Sequence, residues 1–219
     1  AIASTFDCTC NFTYILRIRT EGFVFYLMLG LLAWTFFSSS AGMSAGAIVD
    51  NIGLLKSVVF PRAILPISTV LCNFAQYLLT LTVFLPAMML WYRVPLAAPM
   101  LVFPVFLTLH LMFTIGVALV LATSTAFFRD VRHLLEVALA VMFWTTPIVY
   151  DLAQVPEHLQ LPILLSPLSS FIVAYHDIFY LREWPDTTVW MVAIAYSFGA
   201  LILGAKLIVA FQDRFTEQI

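Results

Sequence analysis

The chain has 219 residues, 63% of them hydrophobic and only 10% charged, with 10 Lys or Arg against 12 Asp or Glu. Soluble domains carry about 25% charged residues, so this composition, with a mean hydropathy of +1.01, specifies an integral membrane protein and excludes a water-soluble globule. The net charge of −2 excludes a basic nucleic-acid footprint. The three cysteines, two of them spaced Cys8-x-Cys10, exclude a disulfide framework and the usual zinc or redox pairs.

Taken in chain order, residues 1–16 are too polar for a crossing, with Asp7, Asn11 and both paired cysteines among them. A helix needs about 20 apolar residues to cross the hydrocarbon core. The long charge-free stretches then predict spans over 23–42, 64–91, 98–124, 134–150 and 188–210. At the end of the first, Ser38, Gly42 and Gly46 recur every four residues. This small-residue stripe lets helix backbones approach, either inside one subunit or across a subunit seam. The loop that follows, DNIGLLKSVVFPRAILP, is amphipathic rather than polar, and reads as a docking surface or as a segment lying on the membrane.

The second span places Thr69, Asn73, Gln76 and Thr80 on one helix face. Polar side chains facing lipid are costly, so this face points at protein or at a water-filled path. His110, in the middle of the third span, reads either as a buried hydrogen-bond partner or as a group on such a path. Trp34, Trp91, Trp144, Trp184 and Trp190 fall near predicted span ends, as an interfacial belt does. Aromatic faces also stack on sugar rings, which keeps Trp144 a candidate for a glycan path.

Segment 151–187 is apolar but interrupted by Pro162 and Pro167, and proline interrupts a helix. A full crossing there would reverse the C-terminus. A pair of short helices dipping into one leaflet is the preferred reading, since such pieces are tolerated where protein covers their backbone. Lys56, Arg62, Arg129, Arg132, Lys206 and Arg214 lie on one side, against Arg17, Arg19, Arg93 and Arg182 on the other. The positive-inside rule makes the first side, with the C-terminus, cytoplasmic. No phosphate loop, zinc-protease or nucleophile-elbow motif occurs, and no catalytic or metal-ligating constellation is visible.

Three strings carry a resemblance: NIGLLKSVVFPRAILPIS (51–68), FFRDVRHLLEVALAVMFWTTPIVYD (127–151) and SPLSSFIVAYHDIFYLREWPD (166–186). In order and spacing they resemble type-2 ABC exporter permeases, most closely the subfamily exporting O-antigen, capsule or teichoic acid chains. The resemblance implies a fold class of all-α integral membrane protein, with six spans in a single domain over 1–219. Residues 1–22 are expected to form an atypical, incomplete first span, and 151–187 two short re-entrant helices on the outward side before the last span.

It further implies a homodimer in the bacterial cytoplasmic membrane. Two copies of a separate ATPase subunit would hold ATP and Mg, while this chain binds no cofactor. Residues 50–62 would be the cytoplasmic coupling helix, with Asn51, Leu54, Leu55, Lys56, Phe60 and Arg62 facing the ATPase. Asn73, Gln76, Thr80, His110 and Trp144 are the candidate path for a lipid-linked glycan, and Ser38, Gly42 and Gly46 the candidate dimer packing. The rivals are a same-fold exporter of a drug, haem or small lipid, and a membrane-embedded glycosyl- or acyltransferase.

Overall fold

The computed structural model of the protein describes residues 22–51, 62–95, 97–128, 130–150, 152 and 155–211. All regular elements among them are helical. They are α1 (Phe23–Gly46), α2 (Ile64–Trp91), α3 (Phe103–Phe127, preceded by a tighter turn at Ala98–Val102), α4 (Val131–Thr145), α5 (Glu157–Leu164), α6 (Ser169–His176, continued by a wide turn to Leu181) and α7 (Thr187–Phe211). Away from water every backbone polar group needs an internal partner, and a helix supplies it within one segment. Four helices are long and apolar enough to cross a membrane: α1, α2, α3 with its leading turn, and α7.

The fourth predicted span is built differently. Its helix stops at Thr145 because Thr146 precedes a proline and is forced into extended backbone (φ −87°, ψ 136°). The chain nevertheless goes on between the same two ends as α1. Arg132 meets Asp50 near one end, and the Tyr150 carbonyl accepts the Tyr26 hydroxyl at 2.9 Å near the other. Helix α4 therefore covers only part of the distance, and Thr146–Tyr150 completes it unwound. That stretch is tolerated because Thr146, Pro147 and Ile148 are buried in protein.

Segment 157–181 enters and leaves at a single end. Going in, α5 reaches Leu165, whose carbonyl accepts the Tyr196 hydroxyl at 2.7 Å. Tyr196 sits nine residues into α7, a depth of about 14 Å. After a turn, Phe171 packs its ring 5.5 Å from Phe113, ten residues into α3. Coming out, Tyr175 and Phe179 lie against Phe103 at 5.3 and 4.8 Å, and Tyr180 reaches Gly22 at the start of α1. The segment is a hairpin about half a bilayer deep.

The core lies around this hairpin. Phe25, Leu29, Ala33, Phe106, Phe113, Phe171, Ile172 and Tyr175 are buried together there. The α3–α7 pair is the most extensive contact, and its closeness comes from glycine. A Cβ on Gly116 would run into the Ala200 backbone, and one on Gly204 into the Gly116 carbonyl oxygen and Leu119. Ser197 strengthens the seam by donating its hydroxyl across it to the Leu109 carbonyl at 2.8 Å.

Candidate functional site

The polar stripe of α2 forms one wall of an open groove. Asn73, Gln76 and Thr80 line a cavity of about 250 Å³ with Leu32, Thr35, Phe36 and Ser39 of α1 and with Tyr77. Helical spacing explains both walls, since Thr35 and Ser39 are four apart on α1 and Asn73, Gln76 and Thr80 are three and four apart on α2. Thr69, the first member of the predicted stripe, is half-buried, donates to the Leu65 carbonyl at 2.9 Å and stays outside the groove.

Within the groove the hydrogen-bonding capacity is partly used. Thr35 and Thr80 donate to the carbonyls one turn back, at 2.7 and 2.9 Å. Asn73 Nδ2 has only a 3.6 Å contact to the Met43 sulfur. Gln76 is exposed, and its amide has no partner among the described residues. Phe36 and Tyr77 form the floor, stacked nearly parallel with centroids 5.1 Å apart. The lining holds no carboxylate, thiol or imidazole. It offers neutral donors and acceptors over aromatic carbon, which is binding chemistry rather than acid–base chemistry.

His110 lies behind that floor, fully buried. Its ring meets Phe36 edge-on at 5.2 Å and stacks on Phe171 at 5.0 Å. Its Nδ1 stands 3.2 Å from the Tyr175 hydroxyl, which has the Tyr77 hydroxyl as a neighbour. A polar chain thus joins the groove, the hairpin and α3. Of the sequence-predicted path residues, Asn73, Gln76 and Thr80 come together, His110 sits one layer deeper, and Trp144 is exposed on α4 away from them.

The small-residue stripe divides. Gly42 faces outward, with nothing close to where a Cβ would stand, and Ser38 is half-buried. Gly46 is buried inside its own chain, because the Arg132 guanidinium and the Asp50 carboxylate occupy the space a Cβ would need. At that position Gly46 packs against an α4 side chain of its own chain, which is the packing within one subunit that the stripe also allows. Of the predicted ATPase contacts, Asn51 is exposed and donates its amide to the Ala47 carbonyl at 2.9 Å, and Arg62 is half-buried. Leu54, Leu55, Lys56 and Phe60 lie outside the described residues.

Sequence reasoning missed Thr35 and Ser39, although their spacing matches the stripe opposite. It also missed Tyr77 and Tyr175, whose hydroxyls leave no trace in an aromatic-rich sequence, and the Gly116–Gly204 crossing. Among the described residues no cluster of His, Cys, Asp and Glu is arranged to hold a metal ion.

No family model matches the chain. It is 32% identical over 210 residues to the O-antigen export system permease protein RfbA of Myxococcus xanthus, a match covering 95% of this chain and 80% of that protein. Two permeases of the same name from Klebsiella pneumoniae are 29% and 28% identical over 168 residues. These matches cover 77% of this chain, which spans 65% of the length of the Klebsiella relatives.

Proposed function

This chain belongs to the O-antigen export permeases of the type-2 ABC exporter class, and on that premise we propose that it is the membrane subunit through which an ATP-driven exporter moves a lipid-linked polysaccharide. The observation that carries the reading is the groove between α1 and α2. Asn73, Gln76 and Thr80 turn neutral hydrogen-bonding groups into an open groove along a mostly apolar helix. Facing lipid, such groups are costly. Facing a glycan, amides and hydroxyls match sugar hydroxyls, and no charge anchors the polymer in one register. Weak, repeated contacts suit a chain that has to slide.

Nucleotide chemistry then belongs to a separate ATPase subunit, which would hold ATP and magnesium. The amphipathic loop 50–62 is its docking segment, with Asn51, Leu54, Leu55, Lys56, Phe60 and Arg62 as the contacting side chains. The loop faces the cytoplasm, as the Lys and Arg distribution favours, and the hairpin end faces outward. A homodimer would bring two grooves to one path, with Ser38 and Gly42 on the outward-facing part of the α1 stripe. Transfer of a drug, haem or small lipid by the same fold is the weaker reading, because a shallow uncharged groove offers no enclosed pocket for a compact ligand.

The test is purification of the full-length protein from its native membrane in mild detergent, with mass spectrometry of what accompanies it. An accompanying soluble subunit with a Walker A sequence is expected, in near-equal amount. Gln76→Leu is expected to lower glycan export about tenfold, the loss of about one charge-free hydrogen-bonded contact in the path, while the purified amount stays unchanged. A preparation free of any ATPase, or full export by the Gln76 variant, would overturn the reading of subunit or of groove respectively.

A further inference from the structure

Arg132, the second residue of α4, has two acids within reach. It donates from Nη2 to the Asp50 carboxylate at 2.8 Å, crossing the helix of α1 where Gly46 leaves room for the guanidinium. Glu136 stands one turn further along α4, four residues from Arg132, which is the spacing at which side chains on a helix meet. Both acids and the arginine line one cavity of about 360 Å³ between α1 and α4, walled by Gly42, Met43 and Leu139. Glu136 is exposed meanwhile, with the His133 Nδ1 4.0 Å from its carboxylate.

Among the described residues the Asp50–Arg132 pair is the ion pair that joins α4 to the end of α1. None of the fifteen α4 side chains is fully buried, the firmer packing lying further along where Phe143 meets Trp34 at 5.5 Å. Asp50 is also the first residue of the loop 50–62 that the proposed function assigns to the ATPase. The recorded Asp50–Arg132 pair is half-exposed, and an ion pair of that kind is worth little more than an alternative one on the same surface. The arginine-to-glutamate order along a helix is the weaker one, in keeping with the Asp50 pairing that the structure records.

We propose that Arg132 is a two-station coupling residue for export. Paired with Asp50 it ties α4 to α1, and passed to Glu136 it frees α4 to swing away. A movement of the 50–62 loop pulls Asp50 and thereby selects the station. Export needs both stations, because a permanent tie or a permanent release transmits no motion. The inference rests on the coupling role proposed above for that loop.

The experiment places spin labels at Met43→Cys and Leu134→Cys, with the native cysteines changed to serine, in the exporter reconstituted with its ATPase. Two α1–α4 distances are expected for the otherwise native protein. Glu136→Gln is expected to leave only the short one, and Asp50→Asn only the long one. Both changes are expected to lower glycan export about tenfold, with the ATPase still bound in equal amount. Exchanging the charges, Asp50→Arg with Arg132→Asp, should restore the short distance but not export, because the exchanged carboxylate is repelled by Glu136. A single distance unaltered by Glu136→Gln, or full export by the exchanged pair, would overturn the proposal. The distances are read without any glycan moving, so their failure is distinct from a failure of the proposed function.

Discussion

At the hairpin end, α6 buries nearly every side chain against α1, α3 and α7, and the aromatic rings of Phe103, Phe113, Phe171 and Tyr175 interlock. At the other end α4 fully buries none, and Leu134, Val137 and Val141 stand open near a cavity and the Asp50–Arg132 ion pair. The two regions share the same apolar composition, so hydrophobicity does not separate them. What separates them is packing. In a membrane, lipid solvates an apolar face as well as protein does, and close association comes from small residues and hydrogen bonds. The hairpin end has both, while α4 has no fully buried side chain and packs on α1 mainly through Phe143 and Trp34.

The largest effect that sharpens this contrast is expected where backbones touch. Gly116→Val would drive a branched side chain into the Ala200 backbone, and a loss of roughly 3 kcal/mol is expected from overpacking a site that cannot yield. Thermal unfolding in detergent measures it. A variant as stable as the parent would mean that α3 and α7 separate easily and that the rigid half is not rigid.

A smaller loss is expected inside the hairpin. Tyr175→Phe removes the hydroxyl that faces the buried His110 ring and neighbours Tyr77, leaving His110 Nδ1 without its partner at a cost of about 2 kcal/mol. Adding Tyr77→Phe should cost little more, because the neighbouring hydroxyl was lost with the first change. Strict additivity in the double variant would show that the two hydroxyls act apart.

The smallest effect belongs to the loose end. Gly42→Ala meets nothing and should gain up to about 1 kcal/mol in helix propensity, and Leu134→Ala should change stability by no more than about 0.5 kcal/mol. A large loss in either, measured in the same melts, would reveal packing on α4 or α1 that the monomer does not show.

Much of this was legible in advance, and for definite reasons. The starts and ends of α2 and α7 follow from where charge stops and resumes. The extended reach of the fourth span to Tyr150 was readable as hydrophobicity, but its unwinding at Thr146 was not, although Pro147 marks the place. The α2 side of the groove was visible as a three-and-four spacing of polar residues. Its α1 side was hidden because Thr35 stands among Trp34, Phe36 and Phe37 and Ser39 in a run of serines that reads equally well as packing.

The sequence by itself determined that this protein lives in a membrane, that its elements are helices, and to which exporter class it belongs, because composition, charge-free length and local motifs are properties of the chain alone. Only the tertiary structure decided that 157–181 turns back, that His110 is buried behind the groove instead of lining it, and that Gly46 makes room for Arg132. Each of those depends on which helix stands opposite which. In an apolar solvent that choice rests on a few glycines and hydroxyls distant in sequence, whose pairing no local pattern encodes.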